Sequence, residues 1–437
     1  MDYTLVRELG AEVAERLRAA RRARAETGQR LLSDDDEREL GRSLIAAAIE
    51  DFRRRELAAR GGPLPPPEDD RELAEAVYAA RFGLGRLQPL INDGTNIAIE
   101  ITGADRVWLH KTDGQLVAGP AVADSDAELI EWVRTIGAYG GLSSRPFDPV
   151  HPWLETRLPD GSRMHALMSV CERPSVSIRL YRLQRITLDE LHERGSFSTE
   201  LLDFFTAAAH GACNLIISGE PFAGKTTQLR ALANAIPYHE SIITIEHFRE
   251  LGIEHFPDLH RDVRALEERL PNAEGVGGMS LAELVERSRR MNPDRTLVGE
   301  IIGGEVSAML DAMSQGASSS MSSCHSRDAL SVFDRLADYA LRGPAHVPVE
   351  ATGRLIARAI DFVVHMRRVS LPDGRVHRFV ESVREVVGWD GTQVVSSEVF
   401  ATSPGELLAE PAAPITPARA ARLAAHGYSP HTQLVRR

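Results

Sequence analysis

The stretch from Asn214 to Thr227 limits the architecture of this chain more than any other. An apolar segment, Leu215-Ile216-Ile217-Ser218, runs straight into Gly219-Glu220-Pro221-Phe222-Ala223-Gly224-Lys225-Thr226-Thr227, a G-x-x-x-x-G-K-T pattern. A strand, a glycine-bearing loop and a helix in that order make a phosphate loop, where backbone N–H groups and the helix dipole meet an anion. Gly219 and Gly224 let the backbone curl around a β-phosphate, Lys225 reaches the β and γ oxygens, and the Thr226 hydroxyl suits Mg²⁺. The helical run after it, Gln228-Leu229-Arg230-Ala231-Leu232-Ala233, supplies the context that an idle glycine turn lacks. The segment predicts binding of a nucleoside triphosphate on an α/β sheet.

With 437 residues, the chain has length for two or three domains at roughly 150 residues each. Apolar residues at 43% and charged ones at 26% allow a sizeable core. The net charge of −12 argues against a nucleic-acid coat, and no nucleic-acid partner is expected. Cys171, Cys213 and Cys324 are too few and too scattered for a disulfide framework or a zinc site, and read as reduced and mostly buried. No apolar run approaches the ~20 residues that span a bilayer, and Met1-Asp2-Tyr3-Thr4 does not open a signal peptide. Direct membrane insertion is not expected; work at a membrane requires recruitment by a partner.

Residues 1–60 read as a helical arm of two helices, broken at Ser33-Asp34-Asp35-Asp36, which can cap the second. The arginines at 16, 18, 21, 22 and 24 form either a solvated face or a docking surface. Residues 61–69, rich in glycine and proline, read as an extended linker. Residues 70–183 read as a small α+β domain with a helix over 73–82, strands over 96–101, 106–110 and 175–179, and a Pro159-Asp160-Gly161 hairpin. Residues 184–400 alternate strand and helix, with strands expected over 215–218, 241–246, 296–300, 320–325 and 362–366, and a closing hairpin that turns at Asp390-Gly391. Residues 401–437, with Glu410-Pro411-Ala412-Ala413-Pro414 and a short Ala/Arg helix, read as a weakly ordered tail.

Two more strands end in acids. Met291-Asn292-Pro293-Asp294-Arg295-Thr296-Leu297-Val298-Gly299-Glu300 places Glu300 where phosphate-loop proteins hold Mg²⁺ and the attacking water. Glu300 is the main candidate for water activation or for metal support, directly or through water; an acid here can also cap the helix that opens near Gly303-Gly304-Glu305. Ser241-Ile242-Ile243-Thr244-Ile245-Glu246 ends in the same way. Parallel strands set their C-terminal ends along one edge, so both acids can face the triphosphate.

Together these residues resemble the secretion ATPases of type II and type IV systems, and most closely the CpaF/TadA-like motors that assemble tight-adherence pili. The resemblance covers about residues 70 to 400 and rests on Arg290 through Glu305, similar to the family's Walker B segment. It also rests on Ser320-Met321-Ser322-Ser323-Cys324-His325-Ser326-Arg327-Asp328, similar to its histidine box, and on Ile243-Thr244-Ile245-Glu246, similar to its aspartate box. Arg157 through Arg163 and Ser177 through Arg179 resemble its N-domain arginine segments. It implies a RecA-like motor domain behind a smaller α+β domain on a hinge near Gln184-Arg185, working as a homo-hexamer. It further implies that Glu246 and Glu300 serve hydrolysis, that His325 senses the γ-phosphate, and that Arg163 and Arg179 offset transition-state charge. The implied cofactors are ATP and Mg²⁺, and the implied partners are integral membrane platform proteins at the cytoplasmic face of the cell membrane.

Three departures stand out. His247 replaces the aspartate that usually follows Glu246, Cys324 and Ser326 flank His325 where the family has other residues, and the box is shortened near Gly316-Ala317-Ser318. Two other readings stay open: a DNA-translocating conjugative ATPase of the same fold, which needs a basic ring pore, and a nucleotide-binding scaffold without turnover.

Overall fold

The structure is a computed structural model that describes residues 1–28, 32–60, 67–139, 145–182, 185–272, 274–314, 319–372 and 374–429. It divides into two compact units, one of Met1–Ile136, Phe147–Glu155 and Met164–Leu180, the other of Gly137–Pro146, Thr156–Arg163 and Tyr181–Arg437. Of the linker expected over 61–69, residues 61–66 lie outside the described residues, as does the hinge residue Gln184, while 67–69 open the helix Pro67–Phe82.

In the first unit, helices Tyr3–Glu26, Asp34–Arg60 and Pro67–Phe82 form one bundle. Val6, Leu9, Val13 and Leu17 recur every three or four residues and meet Ile45, Ala48, Ile49, Leu73 and Val77 in a shared core. The expected arm is thus packed on the first helix of the domain that follows it. Ser33 and Asp36 bond reciprocally at the start of the second helix, as the acidic cluster suggested. Acids meet part of the arginine face: Arg16 lies 2.8 Å from Asp51, and Arg21 pairs with Glu37. The sheet comprises β1 (Asn96–Thr102), β2 (Arg106–Lys111), β3 (Leu116–Gly119), β4 (Trp153–Arg157), β5 (Arg163–Leu167) and β6 (Ser175–Arg179), ordered β3-β2-β1-β6-β5-β4. The tip between β4 and β5, Thr156–Arg163, is grouped with the second unit.

The second unit is built on β7 (Leu215–Gly219), β8 (Ser241–Glu246), β9 (Asp262–Glu267), β10 (Arg295–Ile301), β11 (Ser319–His325), β12 (Phe362–Ser370), β13 (Val376–Trp389), β14 (Val394–Thr402) and β15 (Ala409–Pro411). Their order is β15-β14-β13-β12-β7-β11-β10-β8-β9. Strands β12 through β9 in that order run parallel, and β13, β14 and β15 add an antiparallel edge. Successive residues on a strand serve opposite layers. Ile217, Leu297 and Val364 pack with Phe204, Leu229 and Leu232 on one face, while Ile216, Val298 and Val363 pack with Val285, Leu310, Leu336 and Ile356 on the other. Burial on both faces explains why the sequence shows continuous apolar runs there. The edge strand β9, Asp-Val-Arg-Ala-Leu-Glu, has no such run and was not foreseen.

The stretch beyond Ala401 departs from the weakly ordered tail expected of it. β15 pairs with β14, and helix Pro417–Ala424 buries Leu423, with Tyr428 buried just after it. Arg419 Nε donates to Asp361 Oδ1 at 2.9 Å, and the Thr416 N–H donates to Glu385 Oε2 at 2.9 Å. The Ala/Arg composition reads as solvated, but its arginines answer the half-buried Asp361 and the buried Glu385, both far away in the sequence. Residues 430–437 lie outside the described part. Among the described residues, no helix is long and apolar enough to cross a membrane.

Candidate functional site

β7 is wholly buried and hands its last residue, Gly219, to the loop with φ of 149°, while Gly224 closes the loop with φ of 97°. Both angles favour glycine. A Cβ on Gly219 would stand 2.5 Å from the Met366 carbonyl oxygen, so the loop is pressed against β12. Between them Glu220 and Pro221 are exposed, Phe222 is exposed in a left-handed conformation with φ of 64°, and Ala223 is buried. Helix Lys225–Asn234 starts directly after Gly224, which leaves its first N–H groups aimed into the loop. Thr226 and Thr227, in its first turn, are half-buried.

A line of polar contacts runs from the loop to β10. Lys225 Nζ donates to His325 Nδ1 at 2.9 Å and to the Glu220 carbonyl at 3.2 Å. His325 Nε2 lies 2.9 Å from Glu300 Oε1. An ammonium has no acceptor, so Nδ1 must present its lone pair and Nε2 must carry the proton given to Glu300. The register of the parallel strands makes this possible: His325 pairs with Gly219, and β11 lies between β7 and β10. The alternative role for Glu300, capping the next helix, is taken by Glu305, whose Oε1 accepts from the Gly303 N–H at 2.7 Å.

Glu246, at the end of β8, has a different setting. Its Oε1 accepts from the N–H groups of Glu250 and Leu251 at 3.0 and 2.9 Å, while Oε2 is buried without a hydrogen-bond partner among the described residues. Burial pushes this carboxyl up to about 8. A Cβ on Gly299 would stand 2.8 Å from Glu246 Cγ, so the glycine before Glu300 makes room for the second acid. Arg230, one turn beyond the loop lysine's helical start, is buried and donates from Nε to the Leu251 carbonyl at 2.8 Å, which fixes the turn that holds Glu246. His247, the departure in this box, pairs with Glu268.

The guanidinium of Arg163 stacks 4.7 Å over the ring of Phe248, two residues past Glu246. Arg157 lies 3.5 Å from Glu267. Arg179 is exposed on β6 and counts with the first unit. Cys324 is a core residue among Val306, Met309 and Leu336, and burial pushes its thiol up to about 12. That departure is therefore a packing choice, with cysteine serving as a small apolar side chain. Cys213 is likewise buried and Cys171 is exposed. The shortening near 316–318 lies outside the described residues. Arg230 and the loop-backing Met366 and Arg378 were missed by sequence reasoning, since none belongs to a spaced pattern.

A loop of this kind after a central parallel strand, with acids and a histidine at the ends of the strands on one side, defines a phosphate-loop α/β protein of RecA-like build. The chain belongs to the type II/IV secretion system protein family, whose profile matches residues 82–397. A Methanocaldococcus jannaschii protein of no assigned activity is 30% identical over 252 residues, 56% of this chain and 34% of its own length. The type IV secretion system protein VirB11 of Brucella suis is 28% identical over 324 residues, 68% of this chain and 88% of its own. The solved structure of the Legionella pneumophila ATPase DotB superposes with a TM-score of 0.48 at 17% identity, covering 74% of this chain and 82% of that one. The chain thus spans about a third of the Methanocaldococcus relative's length.

Proposed function

We propose that this chain is an ATP-hydrolysing motor that drives assembly of a tight-adherence type IV pilus, or protein secretion, through a membrane platform. The observation that supports the reading is the line from Lys225 through His325 to Glu300, which links the phosphate loop to the Glu300 carboxylate. In this reading the loop N–H groups and Lys225 hold the β- and γ-phosphates, and Lys225 exchanges His325 for phosphate oxygens when ATP arrives. His325 then faces the γ-phosphate, and Glu300 takes the proton of the attacking water. Glu246, held neutral by burial, offers a hydrogen bond from Oε2 rather than a base. Mg²⁺ takes few protein oxygens and keeps waters and phosphate oxygens, which suits the half-buried Thr226 in the first turn of the loop helix and the Glu300 carboxylate at the end of β10. Thr226 and, directly or through water, Glu300 would hold it, and it would neutralise phosphate charge. Arg163 and Arg179 supply further cations in an assembled homo-hexameric ring, which integral membrane platform proteins recruit to the cytoplasmic face of the membrane.

The test is phosphate release by the purified chain with ATP and Mg²⁺. Wild type should turn over slowly, Lys225→Ala should lose both nucleotide binding and turnover, and Glu300→Gln should bind ATP and keep it unhydrolysed. Wild-type turnover in Lys225→Ala would sink the site; wild-type turnover in Glu300→Gln would remove Glu300 as the base.

A further inference from the structure

The strand order gives the site a direction. β7 delivers the phosphate loop; β11, β10 and β8, with His325, Glu300 and Glu246, lie on one side of it, and β12 and β13 lie on the other. If the proposed reading holds, a nucleotide whose terminal phosphate meets His325 and Glu300 extends its nucleoside end toward β12 and β13.

Two arginines stand there. Arg368 of β12 and Arg378 of β13 are directly opposed across the antiparallel pair, with Met366 and Val380 as the next pair on the same face. Met366 and Val380 pack into the core layer that includes Leu229 of the loop helix, so this is the loop's own face of the sheet. Arg378 Nε donates to the Phe222 carbonyl at 2.8 Å, and its Cδ is 3.4 Å from where a Cβ on Gly224 would be. Arg378 therefore lies against the loop. Arg368 has no hydrogen bond or ion pair among the described residues. The nearby acid Glu381 is engaged elsewhere, paired with Arg367 and 3.8 Å from His365. Burial first, and then Arg368, lower the Arg378 guanidinium below its ordinary value. Like charges directly opposite on paired strands destabilise a sheet, so this arrangement calls for an anion between or beside them.

We propose that Arg368 and Arg378 clamp the α-phosphate of the bound nucleotide, on the side of the loop away from the hydrolytic residues. Bidentate guanidinium donors suit a phosphate oxygen pair. The clamp sets how the nucleoside end is oriented and requires a nucleotide, since inorganic phosphate in the loop does not reach it.

The test measures binding of ADP, and of the Rp and Sp isomers of ADPαS without metal, to the full chain and to Arg368→Ala and Arg378→Ala. Each variant should weaken ADP about tenfold, the loss expected for a charge-assisted hydrogen bond, and the preference between isomers shown by the wild type should disappear. Arg368 is exposed and makes no hydrogen bond or ion pair among the described residues, so its variant folds whatever the effect of Arg378→Ala on the loop. ADP binding unchanged in Arg368→Ala, or an isomer preference that survives in it, overturns the clamp. Lys225→Ala separates the two readings: if it loses ADP while Arg368→Ala does not, only the clamp fails, and if the wild type binds no ADP both fail.

Discussion

Two acids end neighbouring parallel strands, and the difference between them is a matter of what surrounds each carboxyl. Glu300 meets an imidazole N–H at 2.9 Å. Glu246 is enclosed, with one oxygen served by two backbone donors and the other by nothing among the described residues. Burial raises Glu246 from 4.5 to about 8, so the folded state holds a proton that the unfolded chain gives up at lower pH. The stabilisation tied to that proton is fully present below 4.5, declines as the unfolded carboxyl ionises, and is lost as pH rises through about 8. Glu246→Gln, which cannot ionise, should therefore gain on the wild type with rising pH. Thermal melts across that window should show the variant's advantage growing by several degrees from the acidic to the alkaline end; a constant difference would show that Glu246 ionises normally.

At the scale of elements, the strand edges decide what each helix and loop can do. Placing β11 between β7 and β10 brings His325 within reach of both Lys225 and Glu300. The same sheet recruits the last helix, Pro417–Ala424, whose Leu423 is fully buried and whose Arg419 and Arg422 pair with Asp361. Asp361 also accepts from the Asn214 N–H at 2.9 Å, at the entry to β7, so the tail is tied to the strand that carries the phosphate loop. Leu423→Ala should cost about 3 kcal/mol by leaving a cavity at this seam, read as a shift in denaturant midpoint with unchanged slope. A shift within the noise would mean that the tail helix contributes no packing in solution.

At the scale of the whole molecule, the proposal is a ring. If Arg163 and Arg179 complete the nucleotide site in the assembled hexamer, their removal should act on the transition state more than on binding. Arg163→Ala and Arg179→Ala should lower turnover on the order of 10³-fold, as for an arginine finger, while nucleotide affinity changes little. Both variants should still give the hexamer-sized species by light scattering that the wild type gives with an ATP analogue. Normal hydrolysis in both variants would remove the arginines from the site, and a wild type that stays monomeric with nucleotide would remove the ring.

The sequence by itself determined the phosphate loop, five of the six parallel strands and the acids that end two of them, because each is a local pattern: a continuous apolar run, glycines at fixed spacing, an acid at a strand tip. It also pointed to His325 through a family resemblance. What only the tertiary structure decided is relational. No local pattern in Lys225, His325 and Glu300 says that one imidazole bridges the other two, since that follows from strand order and register. Composition does not say that Glu246 is walled in beside Gly299, that Cys324 is core, or that an Ala/Arg tail finds Asp361 and Glu385. Burial and partnership across long separations are set when the sheet assembles, and a reading that runs along the chain sees the groups but not the distances between them.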